Sequence, residues 1–106
     1  MRPFVHPQRD AITLQGVLHA LADPVRLDIF RRLVRSEAGI SCVRCAPPEM
    51  AKSTLSHHFN VLREAGLVRS EKRGTEAVNV PRLDDVDGRF PGLVTAIMAA
   101  AESCSR

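Results

Sequence analysis

Apolar residues recur along the first third of the chain at the three- and four-residue spacing of amphipathic helices. One stripe predicts a helix over residues 10–22 and comprises Leu14, Val17, Leu18 and Leu21. A second helix is expected from Asp23-Pro24, because Asp is a favoured N-cap and Pro is tolerated in the first turn. Its apolar stripe comprises Leu27, Ile29, Phe30, Leu33 and Val34. We expect the arginines on its remaining surface to be mostly solvated and not to be contacts: Arg26, Arg31, Arg32 and Arg35.

The segment over residues 52–65 predicts a helix with one apolar and one polar face, which Gly66 ends. The inner face comprises Leu55, Phe59 and Leu62, with His58 at its edge. The outer face comprises Ser53, Ser56, His57, Asn60 and Arg63. Its first carboxylate is Glu64, so this face offers hydroxyl, imidazole, amide and guanidinium groups before any negative charge.

Residues 67–80 predict a β-hairpin, because apolar residues alternate in its second half and a polar, Gly-containing turn precedes them. The expected tip is Lys72-Arg73-Gly74-Thr75. Residues 41–48 can supply at most one or two helical turns, since Pro47-Pro48 stops a helix.

An acidic connection over residues 84–87 leads to the last predicted helix, residues 90–103. Its apolar stripe comprises Leu93, Val94, Ile97, Met98 and Ala101. The opposite face also lacks charge and comprises Thr95, Ala96, Ala99 and Ala100. A helix that is apolar nearly all round requires burial on both sides, which a terminal helix achieves most simply against a second copy of the chain.

Composition limits the architecture. With 106 residues, 44% of them hydrophobic, the chain is expected to form one domain over residues 10–106 behind a flexible arm, residues 1–9. No apolar run predicts a membrane span or a secretion signal. Three cysteines, an odd number, argue against a disulfide framework, so we expect a cytoplasmic protein.

The formal net charge of +3 is unevenly distributed. Residues 24–80 carry ten basic and six acidic side chains, a net charge of +4, whereas residues 81–106 carry a net charge of −1. A polyanionic partner is therefore expected to bind the middle of the chain.

Three segments carry a resemblance to a known family. Residues 20–29 (ALADPVRLDI), 53–58 (STLSHH) and 61–68 (VLREAGLV) resemble the ArsR/SmtB family of bacterial repressors, and the likeness spans about residues 14–80. The resemblance implies a mainly α winged helix-turn-helix with a small β-hairpin wing. It also implies a homodimer, paired through the first and last helices, that binds an inverted-repeat DNA operator and is released by an effector.

Within that frame the polar helix is the recognition helix and the hairpin is the wing. A recognition helix reads base edges from its exposed N-terminal half, while hydroxyls, amides and basic groups hold phosphates. The expected DNA contacts are Lys52, Ser53, Thr54, Ser56, His57, Asn60, Arg63, Lys72 and Arg73. The expected dimer contacts are Leu14, Val17, Leu18, Leu93, Val94, Ile97, Met98 and Ala101.

The two adjacent histidines are not expected to share a metal ion. Neighbouring side chains on a helix diverge by about 100°, so one ion cannot readily bind both. His57 is predicted to contact DNA, and His58 is predicted to be a packing residue with one satisfied nitrogen.

The cysteines leave the effector open. The family often senses soft metals or arsenite through thiolates near the helix-turn-helix, but the spacing of Cys42-Val43-Arg44-Cys45 differs from the usual pattern. With Cys104, these thiols can form a trigonal site for a soft ion or arsenite; alternatively, Cys42 and Cys45 form a redox pair. A third interpretation is that the thiols are structural and that the protein responds to another effector. The family's zinc site on the last helix is not expected, because residues 93–103 hold only Glu102 among its ligand types.

Two other function classes fit these residues less well. A winged-helix module that binds protein would carry acidic or large apolar residues on the outer face of the polar helix. A thiol oxidoreductase using Cys42 and Cys45 would need a βαβ pattern around them, which the sequence lacks. We therefore expect a DNA-binding regulator and no enzymatic activity.

Overall fold

The computed structural model describes residues 4–35, 40–41 and 50–104. A single 3₁₀ turn, Arg9–Ala11, precedes the first helix. The helices are α1 (Leu14–Leu21), α2 (Pro24–Arg35), α3 (Lys52–Glu64), α4 (Leu83–Arg89) and α5 (Leu93–Cys104). The strands are β1 (Ile40–Ser41), β2 (Val68–Arg73) and β3 (Glu76–Pro81). The predicted mainly α fold with a β-hairpin wing is confirmed.

The core lies where the inner faces of α1, α2 and α3 meet. Its largest fully buried side chains include Ile29, Phe30 and Leu33 from α2 and Phe59 and Leu62 from α3. These residues belong to the apolar stripes predicted from their spacing. Burying each such side chain stabilises the fold by about 1.5–3 kcal/mol, so the three-helix contact fixes where α3 lies.

Helix α1 begins later than the sequence predicted. Its N-cap is Thr13, whose hydroxyl accepts a hydrogen bond from the Gly16 N–H at 3.0 Å. Residues 10–13 are therefore outside the α-helix, and within them Ile12 is buried in the core. The side chain of Arg89 donates to the Ile12 carbonyl at 2.9 Å and holds this segment against α4.

Arg26 departs from the expectation that the arginines of α2 are mostly solvated. Its side chain is 9% exposed and lies among α1, α2 and α3. The physical reason is spacing: Arg26 precedes Ile29, Phe30 and Leu33 by three, four and seven residues, so it lies on the apolar stripe.

The wing is the main part of a three-stranded antiparallel sheet with strand order β1-β3-β2. Strands β2 and β3 pair from Val68↔Pro81 to Arg73↔Glu76. Gly74 takes φ = +64° in the connecting turn, as the first central residue of a type II′ hairpin turn requires. The short strand β1 was not predicted; Ser41 belongs to it rather than to a helical turn, and residues 42–48 lie outside the described part of the chain.

Two hydrogen bonds join the N-terminal arm to the rest of the domain. The Ser70 N–H donates to Nε2 of His6 at 2.9 Å, and Arg82 donates to the Pro7 carbonyl at 2.8 Å. Residues 4–8 therefore lie along the outer edge of β2 rather than projecting from the domain, while residues 1–3 are outside the described range.

The C-terminal part contains two helices where the sequence predicted one. The acidic stretch forms α4, which buries Val86, and α5 then begins at Leu93 rather than at residue 90. Gly92 has φ = +82° and its N–H donates to Asp87 at 3.0 Å. This turn separates α4 from α5. No helix in the described ranges is long and apolar enough to cross a membrane.

Candidate nucleic-acid interface

The N-terminal half of α3 forms an exposed polar surface. All five residues predicted there to contact DNA are exposed: Lys52, Ser53, Thr54, Ser56 and His57. The N-cap residue, Ala51, supplies no side-chain hydrogen bond to the helix. The first-turn N–H groups have no partner inside the helix, so they can bind an anion at its positive end.

In the C-terminal half of α3, Arg63 is directed toward the wing instead. Arg63 is partly buried; it donates to the Ser70 hydroxyl at 3.1 Å, and its guanidinium lies 4.7 Å from the centre of the Phe4 ring. Asn60 is exposed and donates to Glu64 at 3.1 Å. The structure thus brings five of the predicted DNA-contact residues together at one end of α3 and separates Arg63 from them.

Arg63 is part of a polar link between α3 and the wing. The Ser70 hydroxyl that accepts from Arg63 also donates to the side-chain oxygen of Asn79 at 2.5 Å. Ser70 and Asn79 lie opposite each other in β2 and β3, and both are buried. Directional bonds of this kind fix the angle between a helix and a hairpin.

The junction between α3 and the wing is a tight helix C-cap. The Leu67 N–H donates to the Leu62 carbonyl and the Gly66 N–H to the Arg63 carbonyl, both at 3.0 Å. Gly66 has φ = +83°, and Leu62 and Leu67 are both fully buried. This is the Schellman arrangement with its hydrophobic contact, and it sets the direction in which the wing leaves the recognition helix.

The wing tip is exposed and basic. Lys72 and Arg73 are both exposed beside the Gly74-Thr75 turn, as predicted from the sequence. Arg73 also forms an ion pair with Glu71 at 2.6 Å. Because this pair lies in solvent, it contributes little to stability and leaves the arginine available to a phosphate.

His58 is a buried packing residue, as predicted. Its Nδ1 lies 3.3 Å from Nη1 of Arg26. Burial lowers the pKa of His58 most, and the charges of Arg26 and His57 lower it further, while the carboxylate of Asp23 raises it. The rings of His57 and His58 are 6.0 Å apart and tilted by 50°, and no group of three metal-ligating side chains lies within the described residues.

Sequence reasoning missed Arg26 as a residue that contacts the recognition helix. The available signal was its position on the apolar stripe of α2, since a charged residue on a buried stripe is buried only with partners. Its partners are the Ala20 carbonyl and His58, which come from the two neighbouring helices.

The predicted dimer residues divide into two groups. Val17, Val94 and Ala101 are buried within the single chain, so their side chains belong to its own core. Leu14 and Leu18 on α1 are 40% and 47% exposed, while Leu93, Ile97 and Met98 on α5 are half-buried. The neutral outer face of α5 is exposed at Thr95, Ala96, Ala99 and Ala100.

The cysteine hypotheses concern positions that the structure does not describe. Cys42 and Cys45 lie in the undescribed segment 42–49. Cys104 ends α5, but its side chain is among those not described. The thiol site for a soft ion or arsenite therefore stays a prediction.

Comparison with known proteins gives concordant matches. A family described as "Helix-turn-helix domain" matches residues 21–71. An uncharacterized HTH-type transcriptional regulator of Methanocaldococcus jannaschii is 41% identical over 61 residues, covering 56% of this chain and 66% of that protein. The uncharacterized HTH-type transcriptional regulator YceK of Bacillus subtilis is 33% identical over 82 residues, covering 76% and 82%. The crystal structure of an ArsR family transcriptional regulator superposes with a TM-score of 0.65 at 26% identity, covering 78% of this chain and 90% of that one.

Proposed function

The chain belongs to the helix-turn-helix transcriptional regulators, and we propose that it is an ArsR-type member that acts in the cytoplasm as a homodimeric repressor. The homodimer binds an inverted-repeat operator and is released by an effector. The observation that carries this proposal is the exposed, carboxylate-free N-terminal half of α3 beside a basic wing tip. No other described surface combines a helix N-terminus, hydroxyl groups and a flanking basic turn in this way.

The α3 surface is suited to the major groove. Hydroxyls such as that of Ser56 can donate to or accept from base edges, and His57 can donate to a guanine acceptor. Lys52 and the first-turn N–H groups hold the adjacent phosphates. Lys72 and Arg73 then lie along the backbone or in the neighbouring minor groove.

The homodimer is supported by the uncovered apolar surface of the terminal helices. Leu14 and Leu18 are large apolar side chains that this protomer leaves in solvent. The small side chains on the outer face of α5, such as Ala96 and Ala100, allow a second helix to approach closely. A two-fold dimer places its recognition helices about 34 Å apart on one face of the DNA, which requires an operator with inverted half-sites.

The test compares binding to a duplex from the promoter of the protein's own gene with binding to a random duplex of equal length. We expect Ser56→Ala and His57→Ala to weaken promoter binding more than random binding, because base-edge contacts carry specificity. Gln8→Ala is the control, since it removes an exposed polar side chain outside α3 and the wing. Equal affinity of the unmodified protein for both duplexes at moderate salt would contradict the proposed function.

The effector hypotheses are separated by adding candidate effectors to the reduced protein on its promoter duplex. If arsenite, Zn(II) or Cd(II) releases the unmodified protein from DNA but not a Cys42→Ala/Cys45→Ala variant, the thiols form a soft-ion site. If peroxide releases the unmodified protein but not this variant, Cys42 and Cys45 form a redox pair. If the variant responds in the same way as the unmodified protein, the role of the thiols is structural.

A further inference from the structure

Arg26 connects three helices through one guanidinium group. Its Nε donates to the Ala20 carbonyl of α1 at 2.8 Å, and its Nη1 contacts Nδ1 of His58 on α3 at 3.3 Å. Arg26 itself belongs to the first turn of α2 and is 9% exposed. A buried cation is retained only where its partners are well placed, so this contact is structurally demanding.

Asp23 supplies the negative charge beside this group. Its carboxylate caps α2 by accepting from the Arg26 N–H at 2.9 Å, and that bond is the main reason why the pKa of Asp23 is lowered. The charges of Arg26 and His58 lower the pKa of Asp23 further. Asp23, Arg26 and His58 therefore form one electrostatic cluster at the point where α3 meets α1 and α2.

The contact requires a neutral His58. A guanidinium has only donors, so Nδ1 of His58 must accept and the ring proton must be on Nε2. Protonation of Nδ1 removes the acceptor and places an imidazolium against the guanidinium. The charged and titratable groups facing His58 are Asp23 from the α1–α2 turn, Arg26 from α2 and His57 from α3 itself.

The direction of this bond matters for the exposed face of α3. The apolar side chains Leu55, Phe59 and Leu62 hold α3 against the core, but apolar contact is non-directional. A hydrogen bond restricts both distance and angle, so it limits rotation of α3 about its own axis. His58 directly follows His57, and any rotation of the helix that breaks the Arg26 contact also moves the groups facing DNA.

We propose that the contact between Arg26 and His58 fixes the rotation of α3, which makes both residues positioning residues for operator selectivity. The inference rests on the proposed repressor function. It predicts that selectivity, the ratio of promoter affinity to random-duplex affinity, decreases when His58 is protonated. Arg26 and His58 act without touching DNA, through the placement of His57 and its exposed neighbours.

The decisive experiment measures this ratio at pH 7.5 and pH 5.5, at one ionic strength, for the unmodified protein and His58→Asn. The Oδ1 of Asn can accept from Arg26 in place of Nδ1, but Asn does not titrate. We expect the ratio of the unmodified protein to fall by about threefold on acidification, the order expected for losing one hydrogen bond. The ratio of His58→Asn should differ by less than about twofold between the two pH values. The other three histidines, His6, His19 and His57, are present in both proteins, so the difference isolates His58.

A second variant tests the contact without a pH change. His58→Leu has similar volume and no acceptor, so its ratio should be low at both pH values. The comparison with His58→Asn stands even if His58→Leu fails to fold. Equal pH dependence of the unmodified protein and His58→Asn, or unreduced selectivity of a folded His58→Leu, would overturn the positioning role. Loss of promoter preference by the unmodified protein at pH 7.5 would instead contradict the proposed function.

Discussion

Gly66 offers a direct test of how the recognition helix is joined to the wing. An alanine Cβ at this position would lie 2.7 Å from Cδ1 of Ile12 and closer still to its Cγ1. Ile12 is fully buried, so it has little room to move away. Gly74, at the wing tip, also has a positive φ, but a Cβ added there meets nothing within 4 Å. Gly66→Ala and Gly74→Ala therefore share backbone strain and differ in packing.

The expected losses of folding stability follow from backbone strain and from overpacking. An L-residue in the left-handed region costs about 1–2 kcal/mol, which is the whole effect expected for Gly74→Ala. Overpacking a buried site costs about 1–3 kcal/mol more, so Gly66→Ala should cost about 2–5 kcal/mol in total. In an Ile12→Ala background the obstructing atoms are absent, and Gly66→Ala should then cost only the backbone term.

The assay is urea unfolding at one fixed protein concentration, since the stability of the proposed dimer would depend on concentration. Equal losses for Gly66→Ala and Gly74→Ala would refute the packing of Ile12 on Gly66. An unchanged cost of Gly66→Ala in the Ile12→Ala background would refute it independently, because the double-mutant cycle would then show no coupling.

Three further predictions concern a cap, a pH dependence and the wing. Thr13→Ala removes the N-cap bond of α1 and should lower the free energy of unfolding by about 1 kcal/mol, measured in urea. Burial, followed by nearby arginines, lowers the pKa of His6, and burial lowers that of His58. The unfolded state therefore binds more protons below about pH 6.5, so stability should fall as pH decreases from 7.5 to 5.5 in thermal unfolding. Lys72→Ala and Arg73→Ala should each reduce the slope of log affinity against log salt by about 1 if each side chain holds one phosphate.

Each of these predictions has a clear contrary result. Thr13→Ser keeps the hydroxyl and should retain most of the stability that Thr13→Ala loses; equal losses would exclude the cap as the cause. A variant with Asn at both His6 and His58 should lose most of the acid destabilisation, and an unchanged pH profile would exclude these histidines. Arg35→Ala, an exposed arginine outside α3 and the wing, should leave the salt slope unchanged; unchanged slopes for the wing variants as well would remove the wing from the DNA interface.

The sequence predicted those elements whose own residues carry a periodic pattern. The inner faces of α2 and α3 followed from three- and four-residue spacing, and the wing followed from alternation around a Gly-containing turn. Most of the proposed DNA surface followed as well, because exposed polar residues on a helix lie opposite its apolar stripe.

What escaped prediction depends on long-range partners. Strand β1 is two residues long and exists through its pairing with β3, so it leaves no period in the sequence. Helix α4 has an acidic surface around the single fully buried Val86, which is too little apolar pattern to mark a helix. The bond of Arg63 to Ser70 depends on where the wing folds back, which the charge and helical position of Arg63 do not indicate.

The N-terminal segment has a consequence for edge-to-edge aggregation of this protein. Strand β2 is an outer strand of the sheet, and outer strands offer unpaired backbone groups to strands of other molecules. The N–H of Ser70 on that edge is already taken by His6, and Phe4 lies against Arg63 beside it. Residues 4–8 thus cover part of this edge, and a truncated form lacking them would expose the β2 edge next to the proposed DNA-binding surface.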